Sequence, residues 1–257
     1  MQLSGKTILI SGSGSGLGAA TAQRLLAQGA NVVGLDLAAD PAWVPVWNGP
    51  ENWQGRYMHA QADVTQESSV QHVVQEGVAK FGRLSGVVCC AGILHGERVL
   101  GPSGLASLDA FRRVIDVNLV GTIQVVRAAV QAIAQGEPQE PDQEQGVVVM
   151  TSSIAAFDGQ IGQCAYSASK GAIAAMTLPM AREFARFGIR VVSIAPGVFQ
   201  TPMMQAASQK VRGPLLDASV FPKRFGLPEE FASMVQSVLE NSMLNGTIIR
   251  LDGAMRM

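Results

Sequence analysis

Charge is scarce in this 257-residue chain. Only 15% of its residues are Asp, Glu, Lys or Arg, and 19 basic residues face 20 acidic ones, for a net charge of −1. The missing basic surplus removes the electrostatic footprint of a nucleic-acid binder and the polybasic stretch of a membrane-surface protein. Cysteine is scarce too. The three present are Cys89, Cys90 and Cys164, an odd number with two adjacent, which makes neither a disulfide framework nor a metal site. All three are expected as buried small hydrophobes in a reducing cytosol. No charged or Arg-rich leader precedes the first apolar segment, and no stretch reads as approaching the about 20 apolar residues of a membrane span. The expectation is a cytoplasmic protein with neither membrane nor nucleic-acid partners and no metal.

Apolar residues are plentiful instead, at 47% with 28 glycines and a mean hydropathy of +0.22. Short β-branched runs at Lys6–Ser11, Asn31–Asp36, Arg56–Ala62, Ser85–Cys90, Gly146–Ser152, Ile189–Ala195 and Thr247–Leu251 alternate with helical patterns at Gly16–Gln28, Gln66–Phe81, Leu108–Ala134, Cys164–Phe187 and Pro228–Glu240. Strands that are continuously apolar, rather than alternating, are covered on both faces. This order predicts an α/β fold: one Rossmann-like, doubly wound parallel sheet of about seven strands, with helices on both faces. No linker or composition shift divides residues 1–257, so one domain is expected.

Three segments break the rhythm. Residues 40–56 hold all three tryptophans (Trp43, Trp47, Trp53) among Pro41, Pro45 and Pro50, where proline disfavours a crossover helix. That segment reads as a core-capping loop, a subunit contact or part of a cofactor rim. Residues 136–145 read as a solvated acidic loop. Residues 199–225, rich in Met, Phe and Pro, read as a flap over a pocket.

The first strand feeds Ser11-Gly-Ser-Gly-Ser-Gly-Leu-Gly18 and then a helix. Backbone N–H groups and a helix N-terminus there suit a pyrophosphate, and glycines allow it close approach. The spacing is GxxxGxG, on Gly12, Gly16 and Gly18, with Ser15 and Leu17 between them. Asp36 ends the next strand, at about the 20-residue distance expected of a ribose-binding acid. Its carboxylate accepts from a ribose diol and repels a 2′-phosphate. Neither Ser15 nor Leu37 offers that phosphate a cation, so NAD is expected over NADP.

Tyr166 and Lys170 stand four apart in a helical stretch, which puts phenol and ammonium on one face. A nearby cation favours the phenolate and draws a pKa of about 10 toward the working range. Ser153 lies thirteen residues upstream, at the carboxyl end of a strand where open α/β sheets bind ligands. Its hydroxyl can donate to a carbonyl or alkoxide oxygen.

The Gly12–Gly18 turn, Asp63-Val64, Cys90-Ala91-Gly92, Asn118, Ser153, Tyr166-x-x-x-Lys170 and Pro196-Gly197-x-x-x-Thr201 together resemble the short-chain dehydrogenase/reductases over essentially the whole chain. Residues 155–163, 176–179, 194–199 and 251–256 are similar to the type II 3-hydroxyacyl-CoA dehydrogenase branch, as is the acidic loop. The resemblance implies Tyr166 as general acid–base, Ser153 polarising the substrate oxygen, Lys170 tuning the tyrosine and binding the nicotinamide ribose, and Asn118 holding a water of the proton relay. For NAD it implies Gly12, Ser15, Gly16, Leu17 and Gly18, Asp36 on the ribose, Asp63 and Val64 beside adenine, and Cys90, Ala91, Gly92, Phe199 and Thr201 nearer the nicotinamide, with Tyr166 and Lys170. Gln160 and Gln163 would line an acyl pocket with Ser153 and Tyr166.

The implied reaction is reversible, NAD-dependent oxidation of an (S)-3-hydroxyacyl-CoA in fatty-acid or branched-chain degradation, by a homotetramer. A hydroxysteroid or other small-alcohol dehydrogenase, and a non-catalytic nucleotide-binding scaffold, are the alternatives. Lys210, Arg212, Lys223 and Arg224 are candidates for the CoA phosphates, or ordinary solvated charges. One departure is Cys89, where the family usually has an asparagine; a thiol cannot make that residue's amide hydrogen bonds, so the fourth strand lacks this support for its local order.

Overall fold

A computed structural model describes residues 1–102, 104–138, 142–206 and 209–256. Seven strands form one sheet: β1 Thr7–Ser11, β2 Asn31–Asp36, β3 Tyr57–Gln61, β4 Leu84–Cys89, β5 Gly146–Thr151, β6 Ile189–Pro196 and β7 Ile248–Leu251. Their order is β3-β2-β1-β4-β5-β6-β7, and every neighbouring pair is parallel. The order reverses between β1 and β4, which opens a crevice at their carboxyl ends, where such sheets bind ligands. β1, β4 and β6 are buried along their full length, as continuous apolar runs covered on both faces should be.

The strand period of two divides the core. Ile8 and Ile10 face one cluster with Leu25, Leu26, Phe231 and Val235. Leu9 between them faces a second cluster with Val125, Ala129 and Ile173. The first is covered by helices α1 (Gly16–Ala27) and α6 (Pro228–Glu240), the second by α2 (Glu67–Phe81), α4 (Gly121–Ala134) and α5 (Cys164–Phe184), while α3 (Leu108–Ile115) packs against α5. Main elements fall where the apolar periodicity puts them.

Several expectations need correction. The run Leu108–Ala134 is long and apolar enough to cross a membrane by length and composition, and half of its most apolar stretch is buried. It packs on the sheet, and a single π-turn at Asp116–Val120 widens it between α3 and α4. Cys164 is exposed and Cys90 half-buried, whereas Cys89 is buried. α5 buries Ala165, Ser169, Ile173 and Thr177, a four-residue spacing that leaves Cys164 on the outer side with exposed Ala168. The acidic loop is not wholly solvated: Glu144 folds back onto buried Arg190, Oε1 to Nη2 at 3.0 Å. Its residues 139–141 lie outside the described residues, as do 207–208 of the flap segment. Cys89 pairs in register with Ser11 and Met150, and the one register shift between β1 and β4 lies at the far end, between Thr7 and Ile8. A short ribbon, Leu100–Gly101 against Gly104–Leu105, and two short helices, Pro202–Gln205 and Gln209–Asp217, escaped the periodicity because each is too short to repeat.

Candidate active site

The crevice at the switch point widens into an open cleft of about 970 Å³. Its floor at one end is the glycine turn. Gly12 has φ +71°, and a Cβ there would stand 2.6 Å from the Ala91 nitrogen, so only glycine allows β1 and β4 to approach. A Cβ on Gly18 would run into the Gly12 carbonyl. Ser15 caps α1 without a side-chain hydrogen bond, which leaves the helix N-terminus open toward the cleft, as an anion site requires. The cradle fits a dinucleotide pyrophosphate.

Asp36 stands at the rim of this turn. Its Oδ2 accepts from the Gly14 N–H at 2.9 Å, and its Oδ1 accepts from Ala38 N–H at 3.0 Å. Asp63 uses Oδ1 to accept from both the N–H and the hydroxyl of Thr65, each at 2.8 Å. Val64, Cys90, Ala91 and Gly92 continue the wall toward the centre. Cys90 accepts a long hydrogen bond from the Thr151 hydroxyl, 3.8 Å. Phe199 reaches the wall but is largely buried, edge-on to Phe231 at 6.3 Å. Thr201 accepts from Met204 N–H at 3.4 Å and caps Pro202–Gln205.

The other end of the cleft holds Ser153, Tyr166 and Lys170. Ser153 leaves β5 and caps a single 3-10 turn, accepting from Ala155 N–H at 3.1 Å. Lys170 is buried and donates to the Thr151 carbonyl at 2.8 Å. Its Nζ lies 5.8 Å from the centre of the Tyr166 ring. Burial lowers the ammonium pKa to about 8, although Cys90 and Cys89 nearby raise it. Burial also pushes the Tyr166 phenol upward, and interaction with the Ser153 hydroxyl opposes this. The tuning expected of Lys170 alone is thus outweighed by desolvation of both groups.

Two expected residues stand elsewhere. Asn118 is wholly buried in the π-turn and spends its amide on its neighbours. Its Oδ1 accepts from Ile93 N–H at 2.8 Å, while Nδ2 donates to Ile93 O at 2.9 Å and Ser169 Oγ at 3.1 Å. This staples the chain after β4 to α5 and turns no side-chain atom toward the cleft. Gln160 is outside the cleft wall, and Gln163 is in it. The two close a turn, with Gln163 Oε1 accepting from Gln160 N–H at 3.1 Å.

None of the proposed phosphate-binding cations lines the cleft. Lys223 caps the carbonyls of Asp217 and Ser219, and Arg224 pairs with Glu230 at 2.7 Å. Sequence reasoning missed Asp109, Arg112, Arg113, Asp116, Val117 and Val120, which line the wall from one helix face. Their three- and four-residue spacing is the signal that was available. The flap segment does contribute to the wall, through Met203, Met204 and Leu215.

A parallel sheet ordered in this way, with a glycine turn at one end of its crevice and Ser, Tyr and Lys at the other, defines an oxidoreductase of the Rossmann class. A profile of the short chain dehydrogenase family matches residues 6–212, and this chain belongs to that family. It is 46% identical to 3-hydroxyacyl-CoA dehydrogenase type-2 from Bos taurus, covering 98% of this chain and 96% of that one. The protein of the same name from Homo sapiens is also 46% identical, with the same coverage. The crystal structure of 3-hydroxyacyl-CoA dehydrogenase type-2 from Mycobacterium avium superposes with a TM-score of 0.90, at 37% identity, over 100% of this chain and 98% of that one.

Proposed function

We propose that this chain is an NAD-dependent dehydrogenase that interconverts a secondary alcohol and its ketone, with (S)-3-hydroxyacyl-CoA thioesters as the substrate class. The observation that carries the reading is one continuous cleft with the glycine turn and Asp36 at one end and Ser153, Tyr166 and Lys170 at the other. The names of the full-length relatives support the substrate class.

The N-terminus of α1 would hold the pyrophosphate and Asp36 the adenosine ribose. Leu37, 66% exposed, follows Asp36 where a 2′-phosphate would need a cation, which favours NAD over NADP. NAD, when bound, would supply the two-electron acceptor for the carbinol hydrogen. Ser153 Oγ donates to the substrate oxygen and holds it against the Tyr166 phenol. Tyr166 Oη takes the hydroxyl proton during oxidation and returns it during reduction. Its raised pKa keeps the phenol protonated at neutral pH, so the proton for ketone reduction is already in place. In oxidation Tyr166 accepts the proton as phenolate, and the Lys170 ammonium, 5.8 Å from the ring centre, favours that charge. Asn118 acts behind these groups by fixing Ser169, whose hydroxyl donates to the Tyr166 carbonyl at 2.7 Å.

The test is a comparison on one preparation. NADH formation is followed with (S)-3-hydroxybutyryl-CoA, a hydroxysteroid and a simple secondary alcohol. The highest kcat/KM is expected for the CoA thioester. A steroid or free alcohol that exceeds it contradicts the substrate class, and no turnover of any of them contradicts the activity.

A further inference from the structure

The tryptophan segment does more than cap the core. Trp43 and Trp53 are 8% and 4% exposed and pack with Trp47 and Tyr57 into one aromatic cluster behind the glycine turn. The centroid of Trp43 is 5.0 Å from that of Tyr57 and 5.8 Å from that of Trp53; those of Trp47 and Trp53 are 4.9 Å apart. From this cluster the Trp43 indole Nε1 donates a buried hydrogen bond to the Ser13 carbonyl, 2.9 Å. The N–H of that same peptide unit belongs to Gly14, and it donates to Asp36 Oδ2, also at 2.9 Å. One peptide plane is therefore held at both ends, by Trp43 on one side and Asp36 on the other. The fit is close: a Cβ on Gly14 would stand 2.8 Å from the Asp36 carboxyl carbon, and one on Gly34 would stand 2.5 Å from Ser13 Oγ and 2.8 Å from Tyr57 Oη.

We infer that Trp43 is a positioning residue for dinucleotide binding, setting the Asp36 carboxylate through the Ser13–Gly14 peptide. The inference rests on the NAD reading above and extends it to a residue outside the cleft wall. Ser13 is fully buried, so its carbonyl has no water to turn to when the indole donor is lost. The peptide then rotates toward another donor and carries the Gly14 N–H away from Asp36. The carboxylate loses one of its two backbone anchors, and with it the fixed orientation that a ribose diol requires.

The experiment is a calorimetric double-mutant cycle with ADP-ribose as the probe, on Trp43→Phe, Asp36→Ala and the double variant. Trp43→Phe keeps a ring in the cluster but has no N–H. Trp47→Phe trims the same cluster and leaves Ser13 alone. Trp43→Phe is expected to weaken ADP-ribose by about three- to ten-fold, the worth of one buried hydrogen bond, and by less than about two-fold in the Asp36→Ala background. Trp47→Phe is expected to stay within about two-fold of wild type. Equal losses in both backgrounds, or no loss for Trp43→Phe, overturn the inference. Fluorine NMR of fluorotryptophan-labelled wild type tests it without a destabilising substitution: ADP-ribose should shift the Trp43 resonance most, and an unmoved Trp43 contradicts it. Failure of wild type to bind ADP-ribose and NADH at all refutes the dinucleotide reading instead, so the two failures are distinct.

Discussion

Replacing Asn118 with leucine, which keeps the branching and heavy-atom count of the side chain, removes three hydrogen bonds from the π-turn. The Ile93 N–H loses its acceptor at 2.8 Å, and the Ile93 carbonyl loses its donor at 2.9 Å. Ser169 Oγ loses the donor at 3.1 Å but keeps its own bond to the Tyr166 carbonyl. Each orphaned buried group costs about 1–3 kcal/mol. Ile93 is only half-buried, so water recovers part of the loss, and two orphans sum to about 2–4 kcal/mol. In a chain of this size each kcal/mol lowers Tm by about 2–4 °C, so a drop of roughly 5–15 °C is expected. Urea unfolding of wild type and Asn118→Leu measures it, provided both give the same m-value. A variant within about 1 kcal/mol of wild type would refute the staple role and return Asn118 to a role at the cleft.

Two further outcomes follow from the same geometry. Gly18→Ala drives a methyl group into the Gly12 carbonyl, and it should cost about 1–3 kcal/mol of stability by overpacking along with at least about ten-fold in NADH affinity; unchanged calorimetric affinity would refute the cradle. Lys170 has a folded pKa of about 8 against an ordinary 10.5, so between those values the unfolded chain binds a proton that the folded chain does not. Stability contributed at this site therefore rises with pH across that window, by about 3 kcal/mol in all, and wild type minus Lys170→Met unfolding energies at several pH values should rise accordingly, with a falling difference contradicting the account.

What was legible in the sequence divides by the range of the contact. Gly12, Gly16 and Gly18 lie within one turn, and Tyr166 and Lys170 lie on one turn of helix, so covalent spacing alone nearly fixes their geometry. The strands were legible because burial on both faces leaves unbroken apolar runs. The Trp43 to Ser13 hydrogen bond spans thirty residues and depends on how β2 and β3 fold the loop between them. Lys223 and Arg224 looked available only because the carbonyls and carboxylate they satisfy are invisible before the chain folds. Arg112 and Arg113 were readable by helical spacing, but nothing in their charge distinguished a cleft wall from a solvated face.

The central claim is that Tyr166 moves the substrate proton in a cleft that binds the dinucleotide independently of it. Tyr166→Phe, assayed side by side for NADH binding by calorimetry and for turnover of (S)-3-hydroxybutyryl-CoA, tests this most directly. The account predicts NADH affinity within about two-fold of wild type and turnover lower by about 10²–10⁴-fold. A variant that binds NADH and keeps more than about a tenth of wild-type turnover would contradict it.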